Sequence, residues 1–155
     1  MKRYLLDSFL FNSGANKKML AKIRSLPDKA LCIKYFSHLI NSQNKWMARI
    51  MQDQKAAGMN WWDPVYDLEE LEVRWDKSVA AWIEYIHSKA EVDLDEEIVF
   101  TGADGSRWAA TPRDIALQLN YHSIHHRAQM QTIIRGQNME PDFIDYIGTK
   151  CRKLT

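Results

Sequence analysis

Three of the five histidines in the chain lie in the short segment Tyr121–Arg127. His122 and His126 are four residues apart, so on an α-helix both imidazoles occupy one face, one turn apart, and can reach a single ion. His38 interrupts the apolar stripe of a separate helical segment in the same way. Burying three imidazoles without partners would cost about 1–3 kcal/mol each, whereas one divalent ion satisfies all three. We therefore predict that His38, His122 and His126 hold one metal ion and leave a coordination position open for water or substrate.

The spacing of a histidine pair does not distinguish a metal site from coincidence, and the position of His38 is what favours the site. Glu84–His87 reads Glu-x-x-His, the motif of di-iron bundles, but such a site needs a second copy that the chain lacks. We interpret His87 as structural or exposed. Cys32 is six residues before His38 and off its helical face, so a Cys–His nucleophile pair is not expected. Two cysteines are also too few for a disulfide framework or a cysteine zinc site.

Several further side chains are candidates for contacts with the ligands or the substrate. His125, Gln118, Gln129 and Arg127 belong to the same helical segment as the histidine pair. Four tryptophans are candidates for the mouth of the site: Trp46, Trp75 and the loop doublet Trp61–Trp62. The doublet is notable because loop aromatics often line a pocket or an interface. An ordinary surface or packing role is an open alternative for all of them.

These side chains must be positioned by helices, and four long segments have helical periodicity. They run from about Tyr4 to Ile23, Asp28 to Lys55, Leu68 to Lys89 and Thr111 to Arg135. Asp28 is predicted to cap the second segment, Asp67–Glu70 matches a capping box, and Thr111-Pro112 is a strong helix start. Gly136 suits the residue that follows the last helix.

The segment between the third and fourth helices is short and different in character. Ile98–Thr101 and Arg107–Ala110 flank a turn that contains two glycines, which predicts a short β-hairpin or an irregular arm. Four helices with short connections indicate an all-α fold, a four-helix bundle. A length of 155 residues indicates a single domain over residues 1–155.

Composition limits the class of partner. The formal net charge is +1, so nothing favours binding to nucleic acid or to an anionic membrane. The apolar runs are much shorter than the ~20 residues that span a bilayer. The N-terminus begins like a signal peptide but meets Asp7 before an apolar region develops. We therefore expect a cytoplasmic protein that acts on a small molecule.

The order of elements and four motifs resemble the DinB family of DinB/YfiT-like metalloenzymes. The motifs are Gly14–Leu20, Phe36–Ile40, Asn120–Gln129 and Asp142–Tyr146. The third is fairly specific; there the family commonly has Gly where this chain has Ala128. The resemblance implies a bundle with metal ligands on helices two and four, at His38, His122 and His126. It also implies zinc or nickel as the metal and a homodimer as the assembly.

Some relatives use low-molecular-weight thiols such as bacillithiol or mycothiol in transferase, isomerase or amidase-like reactions, and many have no assigned reaction. We expect a metal-dependent enzyme with a thiol or water nucleophile. The ligand stripe carries no obvious general base, and this favours the thiol because a metal can itself hold a thiolate. The alternative is a non-catalytic, stress-associated module that binds metal or a partner.

Overall fold

The computed structural model describes residues 1–102 and 104–154. Its four helices are α1 (Lys2–Arg24), α2 (Ala30–Ile50), α3 (Leu68–Ser88) and α4 (Pro112–Gly136). Helices α1 and α2 each pack against both α3 and α4, so α2 and α4 are neighbours in a four-helix bundle. Strands β1 (Ile98–Thr101) and β2 (Arg107–Ala110) form an antiparallel hairpin between α3 and α4. The predicted all-α bundle with its hairpin is confirmed.

The bundle core is built from apolar side chains at helical spacing and is rich in large aromatics. Trp75 and Trp82 of α3 are almost completely buried, so the prediction of Trp75 at the mouth of the site was wrong. The Trp82 ring stacks on Phe9 of α1 at 5.7 Å, and the Trp75 ring meets Phe36 of α2 edge-on at 5.6 Å. Such pairs stabilise a core beyond the area they bury. In the described part of the chain, no helix has both the length and the apolar character needed to cross a membrane.

The helix ends agree with the sequence patterns at some points and not at others. The side chain of Thr111 accepts a hydrogen bond from the Asp114 amide, as predicted for an N-cap. Asp67 occupies the N-cap position of α3 but makes no side-chain capping bond. Helix α2 begins at Ala30, whose amide donates to Asp28. The prediction for Gly136 was wrong, because this residue is still helical.

The α2–α3 loop, residues 51–67, is anchored to α2 by side-chain hydrogen bonds near His38. The Tyr66 amide donates to Ser37 Oγ at 3.0 Å, and the Tyr66 hydroxyl donates to Asn41 Oδ1 at 2.7 Å. The Asn41 amide group in turn donates to the Pro64 carbonyl at 3.0 Å. These bonds hold the loop, and with it Trp61 and Trp62, beside the first half of α2.

Candidate metal centre

The structure brings the three predicted histidines together between α2 and α4. Their potential ligand atoms all lie within 4.8 Å of one another. The Nε2 atom of His122 is 3.0 Å from Nε2 of His38 and 2.9 Å from Nε2 of His126. His38 and His126 are buried, and His122 is half-buried. Two neighbouring helices thus direct three Nε2 atoms toward one point.

The outer nitrogens of two of these rings have partners that fix the proton. His38 Nδ1 lies 2.7 Å from the carbonyl oxygen of Trp61, and a carbonyl can only accept, so Nδ1 carries the hydrogen. His126 Nδ1 lies 2.6 Å from Oε1 of Gln129, which accepts from it in the same way. In both neutral rings the Nε2 atom is left with its lone pair, and this lone pair is available for a metal.

This arrangement cannot satisfy itself with hydrogen bonds alone. His122 has one Nε2–H at most, yet it faces lone pairs on His38 and His126. A cation at the common point satisfies all three nitrogens at once. A tetrahedral zinc ion with its usual bond lengths keeps ligand nitrogens roughly 3.3 Å apart. The two Nε2–Nε2 distances that involve His122, at 2.9 and 3.0 Å, are within a few tenths of that value, and the ligand atoms of His38 and His126 lie within 4.8 Å of each other. The donor set, three neutral imidazole nitrogens directed toward one point, therefore fits a divalent metal ion.

Electrostatics keep the cluster in the form that binds metal. Burial, with the neighbouring imidazoles adding to it, lowers the pKa of His122 to about 4. Burial also lowers the pKa of His126 to about 4, although its hydrogen bond to Gln129 acts in the opposite direction. The pKa of His38 is lowered by burial and raised less by the Trp61 carbonyl. All three rings are neutral at pH 7, and a neutral imidazole is the ligating form.

Aromatic side chains wall the cluster. The ring of Trp62 stacks on His38 with centroids 3.8 Å apart and planes 9° apart. The ring of Tyr35 lies 5.2 Å from that of His126. The Trp62 amide donates to Asn60 Oδ1 at 2.8 Å, which fixes the turn that carries it. Sequence reasoning missed the contact of Tyr35 and the carbonyl of Trp61; the doublet Trp61–Trp62 was the one signal that pointed to this wall.

The other candidate residues are placed at different distances from the histidines. Gln129 contacts His126 directly. The ring of His125 is 5.0 Å from that of His126 and is exposed. Gln118 is exposed at the start of α4. Trp46 packs on Trp61 at 5.8 Å, one layer behind the wall.

Arg127 does not face the histidines but points toward α1. Its Nη1 donates to Asn12 Oδ1 at 3.1 Å and to Asn16 Oδ1 at 2.9 Å. On the same seam, Asn16 Nδ2 donates to Ser123 Oγ at 2.7 Å. Burial lowers the pKa of Arg127 to about 10, so the side chain is still charged at pH 7. Its contacts are those of a residue that joins two helices.

The cluster offers three potential protein ligands and, within residues 1–102 and 104–154, no fourth His, Cys, Asp or Glu joins it. Cys32 is buried, and burial raises its pKa to about 11, the carboxylate of Asp28 adding to the effect. That thiol is inert at neutral pH. His87 is exposed on α3, consistent with its expected role outside the site. Three neutral imidazoles would leave one position of a four-coordinate ion open, as in catalytic rather than structural zinc sites.

Comparison with known protein families identifies the family of the chain. A family model described as the DinB superfamily matches residues 20–130, well over half of the chain. The matched range contains all three clustered histidines. Neither the curated proteins nor the solved structures contain a significant match to the chain.

Proposed function

The chain belongs to the DinB superfamily, and we propose that it is an enzyme whose centre holds one divalent metal ion on His38, His122 and His126. The observation that carries the proposal is the convergence of three Nε2 atoms with no fourth protein ligand in the described residues. Zinc and nickel are the proposed metals because the family resemblance implies them; imidazole ligands suit both, although they also suit copper and iron.

A bound divalent ion would supply Lewis acidity, lowering the pKa of a water or thiol at the open position. The chain's own residues orient and shield this position. The Trp61 carbonyl and Gln129 fix the two outer imidazoles, and Trp62 covers the face of His38. No carboxylate belongs to the described cluster to act as a general base. This favours a thiol as nucleophile, because a thiol ionises more readily than water.

We therefore propose a thiol S-transferase-like reaction, in which a low-molecular-weight thiol attacks a small electrophile. The sulfur forms a bond to the electrophilic carbon, the leaving group departs with the bonding electrons, and the thiol proton goes to solvent. A hydrolase-like reaction with water as nucleophile is the second form of the same proposal, since both need the same open position.

Metal analysis of two histidine variants tests the site. We expect about one metal ion per chain in the wild type and in His87→Ala, which removes an exposed histidine on α3. His126→Ala is expected to lose the metal while keeping its helical circular dichroism. A His126→Ala variant that still binds one equivalent of metal contradicts the assignment.

Activity is then measured on the loaded protein with 1-chloro-2,4-dinitrobenzene and a panel of thiols that includes cysteine, glutathione and coenzyme A. We expect a metal-dependent rate with at least one thiol, absent from His126→Ala and unchanged in His87→Ala. A loaded protein that is inactive with every thiol and with ester and amide substrates would instead support the non-catalytic binding module.

A further inference from the structure

A second cluster of polar groups lies further along α2, away from the histidines. Lys45 is only 6% exposed, yet within residues 1–102 and 104–154 the one hydrogen bond of its ammonium group goes to the neutral carbonyl of Met59. Its Nζ lies 4.6 Å from the centre of the Trp61 ring. A carbonyl and an aromatic face orient an ammonium group, but neither neutralises its charge.

Arg49 follows Lys45 by one helical turn on the same face of α2. The central carbon of its guanidinium is 4.7 Å from the Trp46 ring, 5.1 Å from Trp61 and 4.6 Å from Phe100. Its one described hydrogen bond, from Nη2 to the Thr101 carbonyl, is long at 3.3 Å. Burial lowers the pKa of Lys45, and the positive charge of Arg49 lowers it further. Two like charges are therefore held close together.

Neither cation has an acidic partner in the described parts of the chain. The next acidic residue along the chain is Asp53 in the α2–α3 loop, and its carboxylate instead accepts from the Lys55 amide at 2.9 Å. Buried charges in proteins are ordinarily paired or hydrogen-bonded to charged groups, because an unpaired one is costly. Lys45 and Arg49 can therefore still bind an anion.

Space for that anion is present. Lys45, Arg49 and Trp61 line one cavity of about 530 Å³ between the α2–α3 loop and the hairpin. Small-molecule sites have volumes of about 300–1,000 Å³ and combine apolar walls with a few charged groups. The indole of Trp61 supplies the apolar wall, and the two cations supply the charge.

We propose that this cavity is a second ligand site, which binds a small oxyanion, a carboxylate or a phosphate, between Lys45 and Arg49. Trp61 lies between the two sites: its carbonyl holds His38, and its ring walls the oxyanion cavity. None of the three proposed metal ligands belongs to the oxyanion site. Failure of the metal-dependent activity would therefore not contradict this second proposal.

The test is a titration of ¹⁵N-labelled protein with inorganic phosphate and, separately, with succinate, at constant ionic strength. The indole N–H signals are followed, and that of Trp61 is identified by its loss in Trp61→Phe. We expect a saturable shift of this signal. Tighter binding of phosphate identifies a phosphate site, and tighter binding of succinate identifies a carboxylate site.

Charge-removing variants show whether the two cations are responsible. Lys45→Met keeps the buried alkyl stem and Arg49→Gln keeps a polar side chain; each is expected to weaken binding at least tenfold with little change in melting temperature. Lys77→Gln removes one positive charge from the exposed face of α3 and should bind as the wild type does. Should either cavity variant unfold, Lys45→Arg, which keeps the charge, should retain binding.

Two results overturn the oxyanion site. One is the absence of a saturable shift in the wild type with both anions. The other is unchanged binding in a folded Lys45→Met variant. The same titration of His126→Ala separates this site from the metal centre, because loss of the metal should leave the oxyanion affinity within about twofold of wild type.

Discussion

Gln129 is the residue whose replacement tests the metal centre most finely, because it contacts a ligand and is not one itself. Its Oε1 accepts the Nδ1–H of His126 at 2.6 Å and so keeps the lone pair of that imidazole on Nε2. Gln129→Leu has similar volume but no acceptor. The His126 ring then loses both the preference for the ligating tautomer and the bond that orients it.

The expected loss follows from the role of such outer hydrogen bonds. Removing the partner of a metal-ligating histidine typically weakens metal binding by about 10–100-fold, which corresponds to about 1.4–2.7 kcal/mol. We expect the lower part of that range, because Gln129 is half-buried and water can replace part of the bond. Gln129→Glu should instead maintain or strengthen metal binding, since a carboxylate is a stronger hydrogen-bond acceptor and makes the imidazole a better ligand.

The assay is a competition between the protein and a chromogenic chelator for zinc, with helical circular dichroism measured in parallel. Gln118→Leu is the matched control, because it removes an exposed amide from the same helix. We expect Gln129→Glu to bind zinc at least as tightly as the wild type, and Gln129→Leu to bind it more weakly. Gln118→Leu should have the zinc affinity of the wild type. Equal affinities for Gln129→Leu and wild type would refute the role of this bond, and an equal loss in both leucine variants would indicate a general effect on α4.

Three other predictions concern the clustered histidines, Arg127 and the two cysteines. Because burial holds the pKa of two clustered histidines at about 4, the unfolded chain binds more protons between about pH 6.5 and 4. The melting temperature of metal-free protein should therefore be highest above pH 6.5 and fall as the pH drops through this window; a flat profile contradicts the shifts. Arg127→Met leaves two asparagine oxygens unpaired and should lower the free energy of unfolding by about 1–3 kcal/mol without changing metal content, measured by urea denaturation. A thiol reagent at pH 8 should modify Cys151 alone in the native protein and also Cys32 in denaturant; rapid native modification of both would contradict the burial.

The four helices and the hairpin follow from sequence periodicity, but the end of α2 does not. The pattern predicted a helix to Lys55, and α2 ends at Ile50. Residues 51–55 contain no glycine or proline that would stop a helix. The Gln52 side chain donates to the Arg49 carbonyl at 3.0 Å and to the Val99 carbonyl of β1 at 3.2 Å. A contact with a strand distant in sequence thus accompanies the break, and local propensity cannot reveal such a contact.

In the candidate site, too, some features could be predicted from the sequence and others could not. Histidine spacing predicted the cluster because an i, i+4 pair has one geometry on a helix. The stacking of Trp62 on His38 depends on the path of a loop held by long-range hydrogen bonds, and no local pattern encodes that path. Arg127 was expected beside the histidines because only one buried face was assigned to α4. This helix packs against both α1 and α2, and a helix between two neighbours needs two inward faces.

These two faces of α4 have different dependence on the metal. On the face toward α2, His122 and His126 meet His38 of α2, and the three Nε2 atoms are mutually unsatisfied until a cation joins them. The face toward α1 carries Arg127, which donates to Asn12 and Asn16 of α1, and these contacts need no ligand. The contact between α1 and α4, together with the aromatic core around α3, can therefore hold the bundle in metal-free protein. It follows that metal binding should add stability to a fold that already exists, because the ion joins helices that the rest of the core has placed side by side.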